Sequence, residues 1–194
     1  MRLPAGRRWA LLTAFFFISA AHAQADDRLA AQLRTCAGCH GAVGNSEIAG
    51  TPSIAAQPKI FLTNYLVMSR EGVRGPQVMQ ALLKGVPDRE IVALAQHFSA
   101  LPASTSSGPV DKKLFQRGEE IAAKNRCASC HEKTFRGREQ MPRLAGQREE
   151  FLAEMMLQYR QNRRPGGDTL MSASLYGIPE ADFKALAHYL SRLK

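Results

Sequence analysis

The chain has 194 residues, of which 45% are hydrophobic and 7% aromatic, and its formal net charge at pH 7 is +9. This length suits one domain or two small ones, and a small domain buries only a modest core. The basic charge comes without a nucleic-acid-binding motif, so the sequence predicts no nucleic-acid partner. Its four cysteines all lie in two short motifs of the same pattern.

Residues 1–23 have the pattern of a secretory signal peptide. A basic start with three arginines precedes an apolar run over residues 9–21, and Ala21-His22-Ala23 is typical of a cleavage site. The apolar run is too short to span a bilayer comfortably, so we expect cleavage after Ala23 or nearby. An uncleaved anchor is the alternative. The sequence therefore predicts a protein that is exported from the cytoplasm and has no transmembrane anchor after cleavage.

The rest of the chain is an internal repeat. The corresponding segments are Thr51–Gln57 with Met141–Gln147, Phe61-Leu62 with Phe151-Leu152, and Met79 with Met171. Between the two copies, residues 102–110 are small and polar and are bounded by prolines, which is typical of a linker. The sequence therefore predicts a first domain over residues 24–101 and a second domain over residues 111–194.

Both copies predict the same succession of helices. A leading helix with Asp at or near its N-cap is followed by a loop rich in Gly, Ser and Pro, and then by an amphipathic helix. A short helix or loop comes next, and a closing helix begins after Pro87 or Pro179. No run alternates well enough to be a strand, so the predicted fold class is all-α. The leading and amphipathic helices are predicted over residues 26–35 and 59–70, and over residues 111–126 and 148–162.

Each leading helix runs into a Cys-x-x-Cys-His motif, the attachment signal for a c-type haem. The two thiols add across the two vinyl groups of the porphyrin, and the next residue, His, ligates the iron. A helical turn brings both sulfurs and the imidazole to one side of the macrocycle. The sequence therefore predicts two covalently bound haem c groups, held by Cys36, Cys39 and His40, and by Cys127, Cys130 and His131.

Three other uses of these cysteines need to be weighed. A thioredoxin-like dithiol is expected in a βαβ context, which the sequence does not show. A zinc site or two disulfides would leave the His after each pair without a role. The presence of His in both copies favours haem over all three alternatives.

The second axial ligand of a haem electron carrier is usually Met or His at some distance along the chain. Met79 and Met171 correspond when the copies are aligned by the Val/Ile-Pro-acid pattern that follows them, so they are the predicted ligands. A Met thioether favours ferrous iron and raises the potential relative to a second imidazole. With both axial positions filled, none is open to oxygen, peroxide or substrate. The sequence therefore predicts an electron carrier and not an enzyme.

The other methionines have less suitable places. Met68, Met155 and Met156 lie within amphipathic helices, where Met more often fills the core. Met141 aligns with Thr51 and so has no methionine counterpart. The alternative sixth ligands are two histidines of the closing helices, His97 and His188.

Pro52 and Pro142 occupy equivalent places in the loops that follow the two motifs. Their carbonyl groups are predicted to accept a hydrogen bond from Nδ1–H of the haem histidine, which would fix the ring and raise its basicity. The alternative is that each proline simply ends a turn.

These motifs together resemble the diheme class I cytochromes c of the c-four type, in which two cytochrome c domains are fused. The resemblance covers nearly all of the chain after the signal peptide. It implies a periplasmic carrier with one electron per haem, which shuttles electrons in respiration from a quinol-oxidising complex or dehydrogenase to a terminal oxidase or reductase. The alternatives are a cytochrome c subunit of a dehydrogenase complex, for example one that oxidises sulfide or alcohol, and a small haem peroxidase.

The chain departs from the family pattern at a few positions. Gly41 follows the first haem histidine, as the family prefers, but Glu132 follows the second, and Asp27 stands where the second copy has Gly118. The segment Arg160–Arg164 is also richer in basic residues than its first-domain counterpart. Residues 111–194 carry sixteen Lys and Arg against eleven Asp and Glu. We therefore expect redox partners to dock on a basic surface of the second domain.

Overall fold

The computed structural model describes residues 27–104, 108–164 and 166–194. The predicted signal peptide, Asp26 at the predicted start of the first helix, and residues 105–107 of the predicted linker lie outside the described residues. Among the helices that are described, none is both long enough and apolar enough to cross a membrane.

From residue 27 onward, the first copy shows four helices. Helix α1 is helical through residues 27–40 and contains the whole first haem motif. It is followed by the amphipathic helix α2 (Lys59–Arg70), the short helix α3 (Gln77–Leu83) that carries Met79, and the closing helix α4 (Asp88–Ala100). Pro87 precedes α4 as its N-cap, in an extended backbone conformation.

The second copy repeats this order, but its leading helix is broken in two and a 3-10 turn precedes its closing helix. Its helices are α5 (Lys112–Lys124), α6 (Ala128–His131), α7 (Glu149–Arg160), α8 (Thr169–Leu175) and α9 (Phe183–Arg192), with a 3-10 turn at Glu180–Asp182 before α9. In the described part of the chain, the one β feature is an isolated bridge between Arg138 and Met141. The predicted all-α class is confirmed.

The two leading helices differ from each other, which the sequence did not predict. In the first copy the helix continues without a break through the haem motif. In the second copy α5 ends at Lys124, because Arg126 adopts a positive φ of 54°, and the chain re-enters a helix at Ala128. The Ile121 carbonyl near the end of α5 accepts from both the side chain and the backbone N–H of Asn125, at 2.8 and 3.0 Å.

Each copy packs its leading helix against its closing helix. In the first, the buried Leu94 and Phe98 of α4 lie in one cluster with Leu29 and Leu33 of α1. In the second, a side chain at Gly118 of α5 would run into the backbone of α9 at Ala185, so the absence of Cβ permits the close approach. The haem motifs at the ends of α1 and α6 are thereby fixed to the cores.

The two copies contact each other through equivalent loops, residues 52–57 and 142–147. The Gln57 side chain bonds the backbone of Arg143, and the Gln147 side chain bonds the backbone of Ser53. Since Gln57 corresponds to Gln147 and Ser53 to Arg143, the contact is reciprocal, as in an isologous dimer. The interface therefore lies directly beside the prolines that follow the haem motifs.

Candidate haem sites

Helix α1 presents the first motif on one face. Cys36, Cys39 and His40 are spaced i, i+3 and i+4, and residues with this spacing are neighbours on a helix surface. Cys36 is half-buried, Cys39 is exposed and His40 is buried at 7% exposure. The two sulfurs therefore stand at the edge of the first core, and the imidazole lies at the C-terminal end of the helix inside it.

The imidazole of His40 is oriented by the loop that follows the motif. Its Nδ1 lies 2.9 Å from the Pro52 carbonyl oxygen. A carbonyl can only accept, so Nδ1 carries the proton and the lone pair is at Nε2. Burial lowers the pKa of His40, while the bond to Pro52 acts in the opposite direction. A neutral imidazole with a free Nε2 is the form that binds a metal.

The second motif gives the same arrangement at α6. His131 is buried at 7% exposure, and its Nδ1 lies 3.1 Å from the Pro142 carbonyl. Burial again lowers the pKa of the imidazole. The residues that follow the two histidines, Gly41 and Glu132, both have positive φ, at 83° and 71°. The chain thus turns away from each histidine in the same left-handed sense.

None of the four cysteines is paired with another in a disulfide. Burial raises the pKa of the Cys36 and Cys127 thiols, whereas a redox-active dithiol depends on a lowered pKa. Within the described ranges, no three or more His, Cys, Asp and Glu side chains form a group that could hold a metal ion. The cysteine environments are therefore unlike those of a catalytic dithiol or of a Cys₄ zinc site.

Met79 and Met171 occupy equivalent helices, α3 and α8. Both are half-buried. Met79 packs against a buried cluster of Leu83, Val86 and Ile91, and Met171 packs against the core of the second copy. Asp168 begins α8 as a side-chain N-cap and accepts a hydrogen bond from the Met171 backbone. These helices hold both thioethers at the surface of their cores.

The remaining methionines have other neighbours. Met156 is a core residue at 5% exposure. The sulfur of Met155 contacts the Arg164 guanidinium, and Met68 lies near Gly166 where the two copies meet. Met141 forms the backbone bridge with Arg138.

The two alternative histidine ligands also differ from His40 and His131. His97 is exposed, and its ring packs edge-on against Phe98. Both ring nitrogens of His188 are engaged, since Nδ1 lies 2.9 Å from a Glu149 carboxylate oxygen and Nε2 accepts from the Asp111 backbone N–H at 3.0 Å. No nitrogen of His188 is left to bind iron in this fold.

This donor set fits a c-type haem. Each copy combines two cysteines outside any disulfide, a buried imidazole with Nε2 available and a half-buried thioether on a separate helix. When bound, the haem supplies a one-electron ferric/ferrous couple. The protein would contribute covalent attachment through the cysteine sulfurs and orientation of the imidazole through the proline carbonyl.

Four residues near the motifs make contacts that the sequence did not predict: Ser46, Ser53, Gln57 and Gln147. Gln57 and Gln147 were visible as matching ends of the repeat segments, but their partners lie in the other copy. Ser46 donates from Oγ to the Cys39 carbonyl at 2.9 Å, and its own N–H is bonded by Ser53 Oγ at 3.1 Å. The repeat in the sequence is the one signal that pointed to the glutamines.

Comparison with known proteins finds similar sequences over most of the chain. Residues 115–194 match the family model described as cytochrome c. The chain is 31% identical to cytochrome c-552 of Acidithiobacillus ferridurans, over 81% of this chain and 73% of that protein. It is 28% identical to cytochrome c4 of Pseudomonas aeruginosa, over 89% and 91%. It is also 28% identical to the "thiosulfate dehydrogenase electron acceptor" of Thiomonas intermedia, over 82% and 79%.

Solved structures give the same fold. Reduced recombinant cytochrome c4 from Pseudomonas stutzeri superposes with a TM-score of 0.78 at 24% identity, over 87% of this chain and 98% of that one. Cytochrome c4 from Acidithiobacillus ferrooxidans gives a TM-score of 0.71 at 27% identity, over 81% and 98%. The chain therefore belongs to the cytochrome c family as a diheme, c4-type electron-transfer protein with two covalently bound haem c groups, and it is not an enzyme.

Proposed function

We propose that this chain is a periplasmic carrier that takes electrons from a dehydrogenase or quinol-oxidising complex and delivers them to a terminal oxidase or reductase. In this proposal His40 and Met79 ligate the iron of the first haem, and His131 and Met171 ligate that of the second. The observation that carries the proposal is the pairing, in each copy, of a carbonyl-oriented imidazole with a half-buried thioether. A six-coordinate iron has no open coordination position for a substrate, so it is suited to electron transfer.

The same proposal includes the domain limits. Residues 24–101 and 111–194 would each hold one haem, with the linker 102–110 between them and the signal peptide 1–23 removed on export. Pro52 and Pro142 would orient the two axial histidines through their carbonyl groups.

A dehydrogenase is the electron donor that the comparisons favour. The Thiomonas intermedia relative is named as an electron acceptor of thiosulfate dehydrogenase, and it matches most of this chain. We therefore take a thiosulfate-oxidising dehydrogenase as the specific candidate among periplasmic donors. The role of this chain would be that of a separate carrier or of a cytochrome subunit bound to such an enzyme.

The docking surface that we propose lies around α8 in the second domain. Leu170 and Tyr176 are exposed at 76% and 74%, and the Arg160 guanidinium lies 4.7 Å from the Tyr176 ring centroid. Arg163 is exposed nearby in the sequence, whereas Arg164 is half-buried over Tyr159. Apolar side chains rimmed by positive charge suit a transient complex with an acidic partner, since the charge steers the encounter.

Reversing one exposed charge tests this docking surface. In Arg163→Glu, we expect reduction by a thiosulfate dehydrogenase to slow roughly threefold at low salt and to depend less on ionic strength, because steering is lost. The rate is measured by stopped-flow absorbance over a series of salt concentrations. Lys84→Glu is the matched control, because Lys84 is exposed at the end of α3, the counterpart of α8.

The outcomes separate the alternatives. Slowing by Arg163→Glu alone supports docking on the second domain. Equal slowing by both variants would indicate only an effect of net charge, and slowing by Lys84→Glu alone would move the docking surface to the first domain. No reduction of the wild type by the enzyme would remove thiosulfate dehydrogenase as the donor.

A further inference from the structure

Two buried glutamines each bind both polar groups of a backbone segment in the opposite copy. Gln147 accepts from the Ser53 N–H through Oε1 and donates to the Ser53 carbonyl through Nε2, both at 2.8 Å. Gln57 accepts from the Arg143 N–H and donates to the Arg143 carbonyl, both at 2.9 Å. Both glutamines are 5% exposed. Because the oxygen and the nitrogen of each buried amide are both hydrogen-bonded, the two glutamines hold the two loops in a fixed position.

The N–H that each glutamine binds belongs to a particular peptide group. The Ser53 N–H shares its peptide group with the Pro52 carbonyl, which is bonded by Nδ1 of His40. The Arg143 N–H shares its peptide group with the Pro142 carbonyl, which is bonded by Nδ1 of His131. A continuous hydrogen-bonded path therefore runs from each haem-motif histidine, through one peptide group, to a glutamine of the other copy.

Resonance couples the two ends of such a peptide group. The C–N bond has partial double-bond character, so electron density shifts from nitrogen to oxygen when the N–H donates a hydrogen bond. The carbonyl then becomes a stronger acceptor, which is the cooperative strengthening seen in hydrogen-bond chains. A stronger acceptor at Nδ1–H makes the imidazole a more basic ligand.

We propose that the glutamines are crossed positioning residues, with Gln147 tuning the His40 haem and Gln57 tuning the His131 haem. This inference rests on the proposed axial ligation by His40 and His131. A more basic imidazole stabilises ferric iron, so each glutamine lowers the potential of the haem in the opposite domain. Separation of the domains breaks both paths, which links the two potentials to the state of the interface.

The test is a pair of substitutions in the full mature holoprotein, Gln147→Met and Gln57→Met. Met keeps the length and most of the volume of Gln but removes the amide. In Gln147→Met, the reduced-to-oxidised ratio of the His40 haem at fixed ambient potential should rise roughly threefold. That change is about 30 mV, since tenfold is 59 mV for one electron. In Gln57→Met the same change should appear at the His131 haem.

Proton NMR of the reduced, ¹⁵N-histidine-labelled protein assigns each effect to a domain. The Nδ1–H resonance of His40 should move upfield in Gln147→Met, and that of His131 in Gln57→Met, because the hydrogen bond to the proline carbonyl weakens. Tyr159→Phe is the control. It removes the 2.7 Å bond from Arg74 across the interface without touching either peptide group, so both resonances and both potentials should stay in place.

The inference is contradicted if the potential and the Nδ1–H resonance change only at the haem of the substituted domain, or change equally at both haems. It is also contradicted if Tyr159→Phe produces the same change, or if neither glutamine variant changes the potentials while both haems remain low-spin. The proposed function fails separately, if the wild type lacks two low-spin haems with histidine ligands. If one variant is not recovered with haem, the other gives the same test in the reverse direction.

Discussion

Glu132 adopts a backbone conformation that is costly for a residue with a side chain. Its φ of 71° and ψ of 156° lie in a region used almost only by glycine. The equivalent residue, Gly41, has a φ of 83°. The Glu132 side chain forms an ion pair with Arg138 at 2.8 Å, but both groups are substantially exposed, so this pair offsets little of the cost.

Replacing Glu132 with Gly should therefore stabilise the second domain. We expect the free energy of unfolding to rise by about 1 kcal/mol. This is the backbone strain that the substitution relieves, minus the conformational entropy that glycine adds to the unfolded chain. Denaturant unfolding of the holoprotein, followed by the absorbance of the second haem, measures the change. Gly41→Ala is the control and should destabilise, since a Cβ there would meet the Asn45 carbonyl. A lower stability for Glu132→Gly would show that the ion pair outweighs the strain.

At the scale of single residues, the sequence predicted those whose chemistry demands a fixed spacing. The cysteines and histidines of the two motifs belong to this class, and so do Pro52 and Pro142, whose places follow from the repeat. The contacts of Gln57, Gln147 and Ser46 could not be predicted in the same way. Each bonds a backbone group that is distant in sequence or belongs to the other copy, and no residue type encodes such a partner.

Helix α5 packs against α9 at Gly118, and this contact explains why the second leading helix tolerates a glycine at its centre. A Cβ at Gly118 would overlap the Ala185 backbone, and it would also press on Cβ of Tyr189. Glycine within a helix ordinarily costs about 1 kcal/mol relative to alanine.

Gly118→Ala should destabilise the protein despite the better helix propensity of alanine. We expect a loss of about 1–3 kcal/mol from overpacking, measured by thermal or denaturant unfolding of the holoprotein. Gly38→Ala is the matched control. Gly38 lies within α1, a Cβ added there would meet no atom within 4 Å, and its counterpart in the second motif is Ser129. The control should be neutral or slightly stabilising, and equal losses in both variants would contradict the packing explanation.

The sequence predicted the position of a helix well where the spacing of its apolar residues and the residues at its ends indicated the same limits. The predicted range 59–70 matches α2, and α4 begins after Pro87 as expected, whereas a 3-10 turn separates Pro179 from the start of α9 at Phe183. The break between α5 and α6 was missed because it depends on the positive φ of Arg126, a residue type that does not favour this conformation.

At the scale of the whole molecule, the two copies meet with reciprocal contacts between equivalent residues. Gln57 and Gln147 make these reciprocal bonds, and Arg148 of the second copy adds a contact without a counterpart, donating to the Ser46 carbonyl of the first at 2.8 Å. The repeat in the sequence predicted two similar domains. It could not predict how they face each other, because the mutual orientation depends on side chains from both.

In the function proposed above, each domain holds one haem between its own histidine and its own methionine. The measurement that tests this most directly is an optical redox titration of the mature protein, with haem counted per chain and the near-infrared band of Met-sulfur ligation followed. We predict two covalent low-spin haems, two electrons taken up, and loss of half of the band in Met79→Leu and in Met171→Leu, while Met68→Leu leaves it intact. A single haem, a high-spin haem, or a band that keeps its full intensity in Met79→Leu or Met171→Leu would contradict this ligation.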